Sequence, residues 1–413
     1  MTPQGQVNAD IRIDRGLITA VAPHIDASKN EVIDATGCLV GPGFVDLHVH
    51  FRDPGQIWKE DMESGSRAAA AGGYTAVVVM PNTIPAMDTP AAIIDLSDRG
   101  SQVGLVSVAV AAALTRDRQG VEATDVEALY AAGARIFSDD GDSVEDSDLL
   151  REQMERLSHL PGSVVSQHAE DTALTVGGHI HAGDIAKMHG LGGLPSSAET
   201  DVIERDLRLT EETGCHYHCQ HVSAAETVDL IHDAKKKGLH VTAEVTPHHL
   251  YFTEEDLEIL DTNLKMYPPV RSERDRQALV AALRDGVIDA VATDHAPHTQ
   301  AEKGVPFADA PRGVIGLETA ASAAWVVLND SVRFFEVMSV NPAGIAGLES
   351  QGSWLTAGEP ANVVVFDPNE NWVPENFASR SVNSPFVGKK LTGRVRATFY
   401  RGKMTFELGR KND

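Results

Sequence analysis

Apolar runs and amphipathic stretches alternate through the middle of the chain. The runs are GFVDLHVH (43–50), YTAVVVMPN (74–82), VGLVSVAVA (103–111), ARIFSDD (134–140), SVVSQHAED (163–171), HYHCQHVS (216–223), LHVTAEVTPHH (239–249) and IDAVATDHAPH (288–298). Short apolar runs rich in β-branched residues predict buried strands. Between them, AETDVIERDLRLTEETG and AAETVDLIHDAKKKG carry apolar residues at helical spacing and stop at a glycine, a common helix terminator. About eight strands alternating with helices over roughly 300 residues predict a (β/α)8 TIM-type barrel. A doubly wound open sheet is the alternative, weakened because no Gly-rich phosphate loop follows the first run. The two ends differ in texture. Ile11-Arg12-Ile13, Leu17 to Val21, NVVVFDPNE and GRVRATFYRGKMTF read as short strands and turns. The expected organisation is therefore α/β, with a barrel over 44–346 and a small β-sandwich built from 1–43 and 347–413.

Polar side chains gather at the C-terminal ends of the runs: His48 and His50, Asn82, Asp139 and Asp140, His168, His221, Asp294 and His298. In a barrel these ends converge on one face, where active sites are built. His48 and His50 share a strand face because side chains alternate with period two, so both imidazoles can reach one ion. Together with His168, His221, Asp294 and one of Asp139 or Asp140, they exceed what a single four-coordinate zinc takes in a catalytic site. The set suits two divalent ions, zinc first among them, sharing a bridging carboxylate. Such ions bring the pKa of bound water toward neutrality and polarise a carbonyl or phosphoryl oxygen, which predicts hydrolysis of an unreactive bond. Asp294 is expected to be both a ligand and the carrier of a proton to the leaving nitrogen.

Arg52 presents a planar fork suited to a carboxylate, so a small anionic substrate is expected. The competing reading pairs Arg52 with Asp53. Asn82 and His298 are expected to touch the same substrate, Asn82 having the alternative of capping the turn after Pro81. His216 and His218 fall on the opposite strand face from His221 and are expected to be packed or solvent-facing. His248 and His249 read as structural, and His179, His181 and His189 as solvated residues of a Gly-rich rim loop. The Gly, Pro and charged residues of 299–313 make that segment the natural lid.

Charge narrows the partners. Lys plus Arg number 35 against 60 Asp plus Glu, a formal net charge of -25. Such a surface repels phosphate backbones and anionic membranes, which argues against nucleic-acid and membrane partners. Cys38, Cys215 and Cys219 make no disulfide framework and read as reduced thiols. No apolar run reaches the ~18 residues of a membrane span and no secretory signal opens the chain, so the cytoplasm is expected.

GFVDLHVHFRDPG, GGYTAVVVMPNT, FSDDG, HAED, HVSAAETV, VTAEVTPHHL and ATDHAPH, in that order, resemble the longer bacterial type of the dihydroorotase family, within the amidohydrolase superfamily. The likeness covers nearly the whole chain. It implies reversible, zinc-dependent hydrolysis of L-dihydroorotate to N-carbamoyl-L-aspartate in pyrimidine biosynthesis. It assigns one ion to His48 and His50 and the other to His168 and His221, with Asp140 as bridge and Asp294 as ligand and proton shuttle. Arg52, Asn82 and His298 would grip the substrate, with further contacts from Arg312 and Gly313 in APRGVIGLE. A second copy of the chain and aspartate carbamoyltransferase enter as protein partners to test.

Three features depart from the family pattern. The chain opens after the strand with which the family usually begins. Tyr267 in KMYPPVR stands where an asparagine usually contacts substrate, so a different reach is expected there. The stretch from FSDDG to HAED is about one residue longer than usual, which blurs Asp139 against Asp140. Two rival readings follow. Relatives that open hydantoin or allantoin usually bridge their metals with a carboxylated lysine, whereas ARIFSDDG offers none. Non-catalytic scaffold relatives have lost their ligands, whereas this chain keeps them.

Overall fold

The computed structural model describes residues 1–28 and 31–410, so the outermost part of the expected 347–413 segment, 411–413, lies outside the described residues. Eight parallel strands form the centre: β1 (Phe44–Val49), β2 (Tyr74–Val79), β3 (Ser107–Val110), β4 (Ile136–Phe137), β5 (Val164–Gln167), β6 (Tyr217–Cys219), β7 (Val241–Val245) and β8 (Ala290–Val291). They pair in sequence as β1-β2-β3 and as β4-β5-β6-β7-β8. Two bridges join the halves. Ala112 pairs in parallel with Phe137, and Val49 with His295 just beyond β8. The His50 amide donates to the His295 carbonyl at 2.8 Å across that second seam. The ring is therefore a closed (β/α)8 barrel, and its fully buried strands explain why the sequence shows apolar runs rather than alternation.

The helices form where the helical spacing predicts them. Ser197–Thr213 buries Ala198, Val202, Ile203, Asp206, Leu207, Leu209 and Thr210 on one side and ends at Gly214, whose φ of 69° suits a left-handed cap. Ala225–Lys236 buries Ala225, Thr227, Ile231 and Ala234 and is capped by Lys237, with left-handed Gly238 one residue further on. One boundary differs from the sequence reading. Val103 closes the helix Pro90–Val103, and only 107–110 of the run 103–111 is strand. The reason is Gly104, left-handed at φ 67°, which caps the helix inside what looked like one apolar run.

The two ends of the chain meet. Leu39–Pro42 pairs antiparallel with Val363–Trp372, which pairs with Leu391–Tyr400 and through it with Lys403–Glu407. A hairpin of Asp10–Asp14 and Leu17–Ala22 lies alongside, bridged at Leu17 to Pro360. Ile18, Leu355, Ala361 and Val363 form the core between hairpin and sheet. Phe44 at the start of β1 packs edge-on to Tyr74 and Phe334 and tilted on Phe335, with centroids 5.4–5.9 Å apart. Burying such a ring is worth about 2–3 kcal/mol. No helix among the described residues is long and apolar enough to cross a membrane.

Candidate metal centre

Asp140 lies at the middle of the site. One of its oxygens is 3.2 Å from His48 Nε2, 3.9 Å from His221 Nε2 and 4.0 Å from His168 Nδ1, and the other is 3.5 Å from His50 Nε2. Asp294 Oδ1 faces His50 Nε2 at 2.9 Å and His48 Nε2 at 3.6 Å. His168 Nδ1 and His221 Nε2 approach to 2.9 Å. The donor atoms fall into two groups, His48-His50-Asp140 and Asp140-His168-His221, which share Asp140. All of these side chains are buried. Asp139, its neighbour, points away and accepts from the Leu114 and Thr115 amides at 2.8 and 3.0 Å and from the Thr115 hydroxyl.

The donor set fits divalent ions. His48 Nε2 is buried without a hydrogen-bond partner and faces carboxylate oxygens, an arrangement that leaves its lone pair for a cation. Three imidazoles are held from behind. His48 Nδ1 donates to Glu244 Oε1 at 2.9 Å, His50 Nδ1 to the Asn82 amide oxygen at 2.8 Å, and His168 Nε2 to Glu170 Oε2 at 3.0 Å. Each bond fixes which nitrogen faces the centre. Burial pushes Glu244 upward, but hydrogen bonds from His218 and His48 pull its pKa down to about 2, so it is a carboxylate here. Glu170 is pushed up by burial and brought below its ordinary value by His168, Thr175 and Tyr267.

Backbone strain marks the same places. Arg52, His221 and Asp294 have φ of 56°, 30° and 46°, in the left-handed region that non-glycine residues avoid. Each costs about 1–3 kcal/mol and persists because the surrounding bonds over-determine it. Around Asp294 those bonds come from far away in sequence. The Asn383 amide accepts from the His298 N–H at 3.1 Å and donates to the Ala296 and Gly313 carbonyls at 3.1 and 3.2 Å.

The expected substrate-binding residues divide into two groups. Arg52 does not pair with Asp53, which is taken by Arg99. Among the described residues Arg52 makes no ion pair, and its Nε donates to the Pro297 carbonyl at 3.4 Å. Burial lowers its pKa, opposed by Asp294 and Asp140. His298 donates Nε2–H to the Arg312 carbonyl at 2.8 Å, leaving Nδ1 buried with no partner. Burial first, then Arg52 and nearby lysines, hold His298 neutral with a pKa of about 3, so Nδ1 is an acceptor. Asn82, by contrast, is committed to His50 and, at 3.4 Å, to Asp140. The Tyr267 hydroxyl donates to Glu170, and the Arg312 guanidinium stacks on its ring at 3.7 Å.

Gly313 needs its φ of 118°, and a Cβ there would lie 2.7 Å from Ala296 Cβ and 3.2 Å from His298 Nε2. Gly313→Ala is expected to cost about 1–3 kcal/mol of stability, read as a lower midpoint in thermal denaturation.

Glu244, Glu170 and Asn383 were not among the residues expected from sequence. Glu244 carried a signal, an acid near the end of an apolar strand like the other site residues. His218 is packed, within the alternatives expected for it, but its partner is Glu244, 3.1 Å away. His181 is not simply solvated, since Arg271 donates to its Nδ1 at 3.3 Å.

A family model described as dihydro-orotase-like matches residues 37–227. A dihydroorotase of Bacillus subtilis is 44% identical, the alignment covering 98% of this chain and 96% of that one. One from Sulfurihydrogenibium sp. is 43% identical over 98% and 97%. The chain belongs to the dihydroorotase family. An L-hydantoinase (dihydropyrimidinase) structure from Arthrobacter aurescens superposes on this dihydroorotase-family chain with a TM-score of 0.85 at 29% identity, covering 97% of this chain and 93% of that one. The fold is thus shared with enzymes named for other cyclic amides, and the site must discriminate among them.

Proposed function

We propose that the chain is a dihydroorotase that uses two zinc ions to interconvert L-dihydroorotate and N-carbamoyl-L-aspartate. The observation that carries this reading is Asp140, a carboxylate rather than a lysine, standing where the two imidazole groups meet. Bound ions would acidify the attacking water and polarise the ring amide. The chain's own residues do the rest. His48, His50, Asp140, His168, His221 and Asp294 hold the ions. Asp294 takes the proton of the attacking water and returns it to the leaving nitrogen. Arg52, a cation without an anionic partner at the rim of this centre, receives the substrate carboxylate. His298 offers its free Nδ1 lone pair to a ring N–H. Asn82 acts through His50. Tyr267, with Arg312 stacked on it, acts through Glu170, which moves it from substrate contact to support of His168.

The test is turnover by the purified, zinc-loaded chain with L-dihydroorotate and N-carbamoyl-L-aspartate, against hydantoin and allantoin. Faster opening of hydantoin or allantoin than of dihydroorotate would sink the reading. Light scattering on the active sample, with and without added aspartate carbamoyltransferase, separates a self-sufficient enzyme from one that needs a second copy or that partner. Arg52→Ala is expected to lower kcat/KM about 10- to 100-fold, chiefly through KM, since it removes a hydrogen bond to a charged group. A change confined to kcat would argue against its carboxylate role.

A further inference from the structure

Glu244 does more than receive His48. Its second oxygen, Oε2, lies 3.1 Å from His218 Nε2. His218 Nδ1 lies 2.8 Å from the Thr242 hydroxyl, and that hydroxyl lies 2.8 Å from His216 Nε2. His216 stacks on His240 at 3.9 Å and 13°. His218 and Thr242 are register partners on β6 and β7, so the contacts step from one strand to its neighbour. They form a continuous column from the metal centre to the start of the strand pair. His218, Thr242 and His216 do nothing in the chemistry above.

Donor and acceptor accounting gives the column a direction. Glu244 is a carboxylate and only accepts. His48 must therefore present Nδ1–H to it, which leaves Nε2 as the donor atom facing Asp140. His218 must present Nε2–H to the other oxygen, which makes its Nδ1 an acceptor. The Thr242 hydroxyl then donates to His218 Nδ1 and accepts from His216 Nε2–H. Every donor points toward Glu244. The Glu244 carboxylate thus sets the tautomers of His218 and His48 alike, and the Thr242 hydroxyl, able to donate or accept, holds His218 in place by donating to its Nδ1. Glu244 Oε1 also lies 3.4 Å from the His221 amide, so the same carboxylate touches the strand end that carries a ligand of the second group.

We propose that Glu244, His218 and Thr242 are positioning residues, a hydrogen-bonded column along β6 and β7 that locks His48 as an Nε2 donor and aims it at the ion. This rests on the two-metal reading of the site. Without the column, His48 is free to rotate about its side-chain bonds or to change tautomer, and the entropy of fixing it then opposes metal binding.

The test is zinc affinity by chelator competition on the full-length chain, comparing wild type with Glu244→Gln and Thr242→Val, with kcat and KM on the same samples. Glutamine keeps the shape of Glu244 and removes its charge. Valine keeps the shape of threonine and removes the hydroxyl, with no atom near the metal centre changed. Glu244→Gln is expected to weaken one of the two zinc equivalents about 10- to 100-fold. Thr242→Val is expected to weaken the same equivalent by less, about 2- to 10-fold, the worth of one ordinary hydrogen bond. In both, kcat measured at sub-saturating zinc should fall with KM unchanged, and saturating zinc should restore it in Thr242→Val. In cobalt-substituted protein the visible bands should shift in Glu244→Gln. Wild-type affinity in Thr242→Val would overturn the column, whatever happens to thermal stability, and this variant decides the matter if Glu244→Gln fails to fold. No zinc bound by wild type would instead overturn the two-metal reading beneath it.

Discussion

Asp140→Ala is expected to empty both metal positions together. Asp140 is the one donor common to both groups, and its oxygens lie 3.2–4.0 Å from all four imidazoles. Removing it leaves two pairs of buried histidines with the negative charge at their centre gone. Metal analysis of the purified variant should find well under one equivalent where wild type is expected to hold two. Turnover should fall at least about 10^3-fold, because Lewis-acid assistance supplies several kcal/mol and each tenfold is about 1.4 kcal/mol. His48→Ala should behave differently, lowering one equivalent more than the other while also abolishing turnover. Two full equivalents in Asp140→Ala would show that another group bridges.

Asp294→Asn is expected to separate chemistry from binding. The amide keeps the size of the carboxylate and removes its capacity to hold a proton. Burial pushes Asp294 upward, yet the imidazoles packed around it, His50 first at 2.9 Å, hold it well below the ordinary carboxylate range. A group kept ionised in this way enters the cycle as an acceptor. Losing it should lower kcat about 10^2- to 10^4-fold while KM moves only a few-fold. Equal losses in kcat and in substrate affinity would place Asp294 in ground-state binding instead.

The strand ends that carry the candidate ligands were legible because two patterns coincide there. The barrel strands are buried and mostly apolar, so a histidine or aspartate near the end of a run stands out. What sequence left open depended on backbone geometry. Asp139 and Asp140 are adjacent and identical, and only the turn after β4 decides that one meets the imidazoles and the other Thr115. Glu244 was ambiguous for a related reason, despite its place near a strand end. In VTAEV an acid between apolar residues reads as the wet side of a half-exposed strand, and only the pairing of β7 on both edges and the cover on both faces show it to be dry. Asn383 was out of reach, since nothing local in SVNSPF indicates that its amide buries against Ala296 and Gly313.

The seam of the barrel imposes an order in time. His50 and Asp294 are 244 residues apart, and the ring closes only where β1 meets the segment beyond β8. A chain emerging from the ribosome carries His48 and His50 exposed on an open sheet edge for most of its synthesis. The groups that complete their site arrive late, and the amide that fixes the Asp294–His298 loop arrives 85 residues later than His298. Contacts of such long range form slowly. Nascent chains stalled before Asn383 should therefore hold a closed ring with an unpinned rim, and early strands must wait, edge unpaired, for the last one.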